Sequence, residues 1–129
     1  EALAVPTSLS QRIAVLKAAS RCNVERQGDW LIAWTSVNSF EGSASMALVE
    51  LGADVALVAG RHGGKARISG RSGREAARRG LNLAEILSRT AREFGGEGGG
   101  HRSAAALEAA GDPYAILDSC RKRVASSLL

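Results

Sequence analysis

The sequence lacks any apolar segment long enough to cross a membrane. Its longest uninterrupted apolar runs, such as Val55–Ala59, contain five residues, whereas a membrane-spanning helix needs about 20. It also lacks a charged segment followed by an apolar stretch near its start, which is the pattern of a secretory signal. We therefore expect a cytoplasmic protein without a membrane partner. Because residue 1 is Glu1 and the single methionine is Met46, we also expect a fragment of a longer protein.

Cysteine and histidine are too scarce to predict a zinc site. The two cysteines, Cys22 and Cys120, lie far apart in the sequence, and neither belongs to a CxxC pair or has two histidines at ligand spacing. We interpret both as small buried side chains, because free cysteine is among the more buried residue types. The sequence leaves a disulfide between them open.

Basic residues are concentrated in one segment of the chain. Between Arg61 and Arg79 there are seven basic residues and one acidic residue, a local charge of +6 in a chain of net charge +4. Fourteen of the 17 basic residues are arginine, whose planar guanidinium group can bind phosphate through two hydrogen bonds. The segment therefore indicates an anionic partner, and the alternative is a solvated basic surface that keeps the domain soluble.

The pattern of apolar and turn-forming residues predicts nine elements in the order α-β-β-α-β-β-α-β-α. The predicted helices run from Ser8 or Ser10 to about Arg21, over Ser43–Leu51, over Leu83–Phe94, and from Asp112 onward. The predicted strands are Val24–Arg26, Trp30–Ser36, Val55–Ala59, Ala66–Arg71 and Ala104–Ala109. The order lacks the regular alternation of a doubly wound fold. We expect a single α/β domain with a mixed β-sheet of about five strands covered by helices.

Individual side chains refine this prediction. Leu9, Ile13 and Leu16 follow the spacing of one helical face. Trp30 and Trp34 lie on a strand that must bury one face, so we interpret them as core residues. His62 stands beside two glycines in a predicted hairpin and is interpreted as a turn residue.

A glycine-rich segment precedes the second histidine. Residues 95–100 include five of the 15 glycines of the chain and are followed by His101. Such composition is typical of a flexible linker, but the segment follows a well-patterned helix within a compact domain. Consecutive glycines can direct their N–H groups toward an anion, and a histidine at the rim can donate to a phosphoryl oxygen. The segment is not a Walker A motif, because no Lys-Ser or Lys-Thr pair follows its glycines. We expect an anion-binding loop here.

Several short segments together resemble one family. Phe94–His101, followed by Ala104-Ala105, resembles the GGGH signature of the DHHA substrate domain. Residues 68–72, Ile-Ser-Gly-Arg-Ser, are similar to the strand-end Arg-Ser element of the same domain. Phe40-Glu41 and Leu51–Val55 resemble the archaeal RecJ-like branch of the DHH phosphoesterases. The chain departs from the pattern at residues 102–106, Arg-Ser-Ala-Ala-Ala, where many relatives have Ala-Ala-Gly after the histidine.

The resemblance implies a two-domain phosphoesterase whose N-terminal DHH domain holds two manganese ions. No Asp-His-His triplet occurs in this chain, so neither catalytic residues nor a cofactor are assigned to it. Residues 1–21 would be the linker and first helix from the missing DHH domain, and residues 22–129 the DHHA-type substrate-binding domain. The phosphate-binding residues that the resemblance implies are Arg71, Ser72, Gly98, Gly99, Gly100 and His101.

The expected function is to bind single-stranded nucleic acid or a short oligonucleotide for a RecJ-like exonuclease or oligoribonuclease, with the N-terminal DHH domain as partner. One alternative is a tRNA-binding and dimerisation module related to the C-terminal domain of alanyl-tRNA synthetase, in which the glycine run usually ends in arginine. Another is a homodimerisation module without enzymatic function. If one substrate contacts both motifs, Arg71 and His101 must lie on the same surface, with His101 accessible and unpaired with any carboxylate.

Overall fold

The computed structural model describes residues 8–129. These residues form six strands and five helices in one α/β domain. In chain order the elements are α1 (Leu9–Arg21), β1 (Asn23–Gln27), β2 (Trp30–Ser36), α2 (Glu41–Leu51), β3 (Val55–His62), β4 (Lys65–Ser72), α3 (Arg74–Arg79), α4 (Leu83–Glu93), β5 (Glu97–His101), β6 (Ala104–Ala109) and α5 (Pro113–Ser127).

The six strands form one mixed sheet in the order β1-β2-β3-β4-β6-β5. The neighbours β2 and β3 are parallel, and α2 connects them, whereas every other neighbouring pair is antiparallel. The prediction of a single domain with a mixed sheet covered by helices is therefore confirmed. The sheet ends in β1 on one side and in the glycine-rich β5 on the other.

Helices cover both faces of the sheet because the strand residues alternate between two apolar layers. On one face, Leu57, Ile68 and Leu107 pack with apolar residues of α4 and α5. On the other face, Ala56 and Val58 pack with α1 and α2. The cores are built mainly from small and branched aliphatic side chains, in agreement with the low aromatic content of 4%.

Three of the helices have an N-cap residue whose side chain accepts a hydrogen bond from the backbone of the first turn. Ser8 accepts a hydrogen bond from the backbone N–H of Gln11 at 3.0 Å, as part of a capping box. Asn82 and Asp112 accept from backbone N–H groups in the first turns of α4 and α5, at 3.3 Å and 3.1 Å. Each cap satisfies a donor that would otherwise lack a partner at the helix start. The sequence predicted all three helix starts for this reason.

The structure corrects the predicted element order at two places. The short helix α3 was not predicted, and residues 97–101, which we expected to form an anion-binding loop, form the edge strand β5. Strand β5 pairs with β6 in register from Glu97 opposite Glu108 to His101 opposite Ala104. Glycine is a poor strand former, so the strand depends on tertiary pairing and not on its own preference.

The apolar side of α1 points away from the core. Leu9, Ile13 and Leu16 are 67%, 44% and 70% exposed, whereas Ala18 on the other side of the helix is fully buried. The helical spacing of these three residues was read correctly, but their stripe does not pack against this domain. The interpretation of Trp30 and Trp34 as core residues holds in part, because both are half-buried and pack against the core around Leu57.

Both cysteines are free thiols. Cys120 is buried in the core, and burial raises the pKa of its thiol to about 12. Cys22 is half-buried at the end of α1. The two therefore agree with the interpretation as small apolar side chains. Separately, none of the helices within residues 8–129 has the length and apolar character that crossing a membrane would require.

Candidate phosphate-binding site

Arg71 and His101 lie on the same face of the sheet. Strand β6 runs between β4 and β5, and its residue Ala104 is the register partner of Arg71 on one side and of His101 on the other. Directly opposed residues of antiparallel strands project their side chains to the same face. With about 4.8 Å between neighbouring strands, the two backbones are roughly 10 Å apart. One ligand with a phosphodiester group can therefore span both side chains.

This face of β4, β6 and β5 is only partly covered. Helix α2 packs over β3 and β4, whereas α4 packs against β5 and β6 from the opposite side of the sheet. We call the uncovered part the open face. Its residues, assigned from the strand register, are Arg67 and Arg71 of β4, Ala104, Ala106 and Glu108 of β6, and Glu97, Gly99 and His101 of β5. Ser69 faces the same way but is buried beneath α2, with its Oγ 3.5 Å from that of Ser45.

Arg71 and His101 carry the unpaired donors of the open face. His101 is exposed and Arg71 is half-buried, and neither side chain makes a hydrogen bond or ion pair with residues 8–129. The neighbouring Arg67, in contrast, donates to the Glu108 carboxylate at 3.1 Å. An anion placed between Arg71 and His101 would therefore meet donors that no carboxylate of the described residues already occupies. The accessibility and unpaired state predicted for His101 are confirmed.

The glycines of β5 serve different purposes. A Cβ at Gly98 would lie 2.8 Å from the backbone oxygen of Leu87 in α4. Gly100 has a φ of 140°, and a Cβ there would lie 2.7 Å from the backbone oxygen of Ala104. Both glycines are therefore required by the fold itself. Their missing side chains face α4 and β6, so only their backbone groups are available to a ligand.

Gly99 is the exception among these glycines. A Cβ at this position would meet nothing closer than the Ser88 hydroxyl at 4.0 Å, and its φ lies outside the left-handed region. The fold of the described residues therefore gives no reason for glycine here. Gly99 pairs with Ala106 and belongs to the open face. Its missing side chain keeps the surface beside His101 low, which leaves room for a ligand to approach the backbone of β5.

The structure does not bring the Ser72 side chain to the open face. Ser72 follows Arg71 on the strand, so it points to the opposite side of the sheet, where it is 7% exposed. Its Oγ is buried and has no hydrogen-bond partner among residues 8–129, while its N–H donates to the backbone oxygen of Ser103 at 2.9 Å. Of the predicted site residues, the structure thus places Arg71, Gly99 and His101 together on the open face.

The basic segment between Arg61 and Arg79 is not a cluster in space. Its arginines are divided among the end of β3, the strand β4 and the helix α3, and several already have partners. Arg78 donates to Glu75 at 3.0 Å, and Arg79 donates to the backbone oxygen of Leu129 at 2.6 Å. The structure therefore places Arg71, and not the whole basic segment, beside His101.

A buried carboxylate borders the open face and was not predicted. Glu41, the first residue of α2, is 4% exposed, and its Oε2 lies 2.7 Å from Nε2 of His62. The carboxylate lies above Gly60, where a Cβ would come within 1.8 Å of the same oxygen. His62 is the last residue of β3 and pairs with Glu41. This position corrects its interpretation as a turn residue. A glycine inside a strand is the sequence signal for such a close approach.

No metal site is present in the described part of the chain. Residues 8–129 contain no group of three or more histidine, cysteine, aspartate or glutamate side chains placed to hold a metal ion. The open face itself offers the guanidinium group of Arg71, the imidazole ring of His101 and the backbone of the edge strand β5 for hydrogen bonding.

Three solved structures have a similar fold. The C-Ala domain of Aquifex aeolicus alanyl-tRNA synthetase has a TM-score of 0.63 at 20% identity, covering 81% of this chain and 98% of that domain. An exopolyphosphatase-related protein from Bacteroides fragilis has a TM-score of 0.65 at 14% identity, covering 95% of this chain and 37% of that protein. A pGpG-specific phosphodiesterase from Vibrio cholerae has a TM-score of 0.62 at 12% identity, covering 92% and 40%. At these identities the likeness shows the fold alone.

The sequence comparisons identify the family. An uncharacterized protein of Methanocaldococcus jannaschii is 34% identical to the chain over 114 residues, which is 87% of this chain and 33% of the relative. The chain thus spans about a third of the length of the curated relative that it matches. The family model of the DHHA1 domain matches residues 35–125, which include Arg71, the strand β5 and His101. The resemblance found in the sequence is confirmed, and the chain belongs to the DHHA1 domain family.

Proposed function

We propose that this domain is the substrate-binding part of a DHH-family phosphoesterase and that its open face binds a phosphodiester of single-stranded nucleic acid or a short oligonucleotide. The observation that carries the proposal is the position of Arg71 and His101, unpaired and on either side of Ala104. Arginine can grip a phosphate through two hydrogen bonds. Histidine becomes a stronger donor when a nearby phosphate favours its protonated form.

The bond-breaking chemistry would come from a separate DHH domain with two manganese ions. In this arrangement the open face holds the substrate near the metal ions, and residues 1–21 link the two domains. The full enzyme would be a RecJ-like exonuclease or an oligoribonuclease. The isolated chain should then show no manganese-dependent hydrolysis of short strands. Turnover by the isolated chain that is lost when the metal is chelated would contradict this division of roles.

The exposed side of α1 supports a contact with a second domain. Leu9, Ile13 and Leu16 form an exposed aliphatic row, which is typical of a surface that a partner covers. Replacing Leu9 and Leu16 with serine in a protein that carries both domains should increase protease cleavage between them, without lowering the thermal stability of the isolated domain. If the same variant instead converts a dimer of the isolated chain into a monomer, the partner is a second copy.

Binding can be measured by the fluorescence anisotropy of a short labelled RNA or DNA strand. Arg71→Ala together with His101→Ala should weaken binding by about tenfold or more. The logarithm of the affinity falls linearly with the logarithm of the salt concentration, and loss of one phosphate contact should make this slope less negative by about 0.7. The matched control is Arg92→Ala, which removes an exposed arginine from α4 on the other side of the sheet. Equal losses in the control and in the site variant would refute the proposal.

A tRNA-binding and dimerisation module is the second candidate function. The observation that favours it is the coverage of 98% of the C-Ala domain by a chain of this size. Against it stands His101, which replaces the arginine expected at the end of the glycine run. Competition between tRNA and a short single strand distinguishes the two functions. Stronger binding of tRNA, together with a dimer in sedimentation, would favour the second.

A further inference from the structure

A groove lies at the opposite ends of the strands from Arg71 and His101. It opens where β2 ends at Ser36, beside its register partner Ala59 near the carboxyl end of the parallel strand β3. Two adjoining depressions of about 440 Å³ and 320 Å³ share Arg21, Ser36 and Tyr114 and form one continuous groove. In open α/β sheets, the carboxyl ends of parallel strands are the usual place for ligands.

Tyr114 presents an aromatic ring at the centre of this groove. The residue is 65% exposed, and its hydroxyl lies 3.5 Å from the hydroxyl of Ser36. It stands at the start of α5, where Pro113 is buried and the Asp112 side chain accepts a hydrogen bond from the Tyr114 N–H at 3.1 Å. The backbone beneath the ring is thus held in place. An exposed aromatic ring on such a held backbone is a platform on which a nucleobase can stack.

The charged lining of the groove favours an anion. The side chain of Arg61 makes no hydrogen bond or ion pair with residues 8–129. Arg21 uses only its Nε, which donates to the backbone oxygen of Lys17 at 3.3 Å, so its two terminal nitrogens remain available. The acidic residue of the lining, Asp118, is already paired with Arg121 and Lys122. The positive charge of the two arginines is therefore not cancelled within the groove.

We propose that this groove binds a nucleotide, with the base stacked on Tyr114 and the phosphate held by Arg21 and Arg61. The site differs from the open face in position, since about five residues of β3 separate the level of Arg71 from Arg61, which is roughly 16 Å at the rise of a strand. It differs in chemistry as well, because it offers an aromatic ring for a base. The nucleotide can be free or part of a bound single strand.

The groove contains its own fluorescent reporter. Trp34 lines it, and the guanidinium carbon of Arg121 lies 4.9 Å from the centre of the indole ring. The chain has two tryptophans, so Trp30→Phe leaves Trp34 as the single one. In this variant, a 5′-mononucleotide should cause a saturable change in tryptophan fluorescence. A nucleoside and inorganic phosphate should each bind more weakly than the mononucleotide, because each supplies only one half of the contacts.

Substitutions in the Trp30→Phe background test each half of the site. Tyr114→Ala and Arg61→Ala should each weaken mononucleotide binding by about tenfold, whereas Tyr114→Phe should retain it, since stacking needs the ring and not the hydroxyl. Arg92→Ala, which removes an exposed arginine of α4, is the matched control and should leave mononucleotide binding unchanged. Unaltered thermal stability of the variants shows that they are folded, as expected for exposed side chains.

Two results would overturn the proposal. One is the absence of a saturable fluorescence change at millimolar mononucleotide, and the other is equal binding by Tyr114→Ala. A parallel titration with a short single strand identifies the natural source of the ligand. If the strand binds this groove more tightly than the mononucleotide, and Tyr114→Ala weakens it, the groove holds a nucleotide of a bound strand. Loss of strand binding in Arg71→Ala alone concerns the open face and leaves this site standing.

Discussion

Replacing Gly98 and Gly99 one at a time separates the folding role of β5 from its proposed binding role. The two glycines are adjacent, but their missing side chains face opposite sides of the sheet. A Cβ at Gly98 would come within 2.8 Å of the backbone oxygen of Leu87, whereas a Cβ at Gly99 would meet nothing closer than 4.0 Å. The same substitution should therefore have opposite effects on stability at the two positions.

For Gly98→Ala, the added methyl group forces β5 away from α4. Overpacking of this kind costs about 1–3 kcal/mol, which corresponds to a fall in melting temperature of roughly 4–12 °C for a domain of this size. For Gly99→Ala, no clash arises, and the smaller conformational freedom of alanine in the unfolded chain should stabilise the protein by about 0.4–1 kcal/mol. Thermal unfolding followed by circular dichroism measures both changes.

The affinities of the two variants should rank in the opposite order to their stabilities, with Gly99→Ala binding more weakly than Gly98→Ala. The methyl group of Gly99→Ala rises from the open face beside His101, two residues along β5, so the affinity for a short single strand should fall by about tenfold, or ~1.4 kcal/mol. Gly98→Ala, measured below its melting temperature, should bind more tightly than Gly99→Ala. A stable Gly99→Ala protein with unchanged affinity would refute the reasoning, because a ligand that contacts His101 and the neighbouring backbone of β5 would meet that methyl group.

Three further predictions concern other parts of the molecule. Gly60→Ala should lower the free energy of unfolding by about 1–3 kcal/mol, because its Cβ would collide with the Glu41 carboxylate; urea unfolding measures this, and an unchanged midpoint would contradict it. A thiol reagent at pH ~8 should modify Cys22 much faster than Cys120, because burial raises the pKa of Cys120 to about 12; peptide mass mapping after short exposure decides it, and faster labelling of Cys120 would show that the core opens. Asn82→Ala should cost about 1 kcal/mol by removing the cap of α4, and Asn82→Ser should recover most of the loss in melting temperature.

The amino-acid pattern specified most of the elements on its own. Helix starts at Ser8, Asn82 and Asp112 were predicted because a capping side chain and the donors that it satisfies lie within a few residues of each other. The two hairpins were predicted for the same reason, since their turns are local and begin at glycines that adopt positive φ, such as Gly28 and Gly63. The family resemblance was also local, in the residues around Arg71 and His101.

Other features depended on contacts between distant residues. Residues 97–101 form a strand because β6 offers backbone partners and α4 packs closely against Gly98, and neither contact is visible in a run of glycines. The apolar row of α1 obeyed helical spacing, yet periodicity does not state whether a face is covered, and Leu16 is exposed. The Glu41–His62 pair joins residues from two elements and was missed.

The sequence by itself determined which side chains are candidates for binding phosphate, and the tertiary structure decided which of these candidates lie on one surface. Arg71 and Ser72 are neighbours in the chain, but the alternation of a strand sends them to opposite faces of the sheet. Arg71 and His101 are 30 positions apart, but pairing of β4 and β5 with the two edges of β6 sets them on either side of Ala104. The physical reason is that side-chain direction is set locally by strand geometry, whereas proximity is set by strand pairing between distant segments.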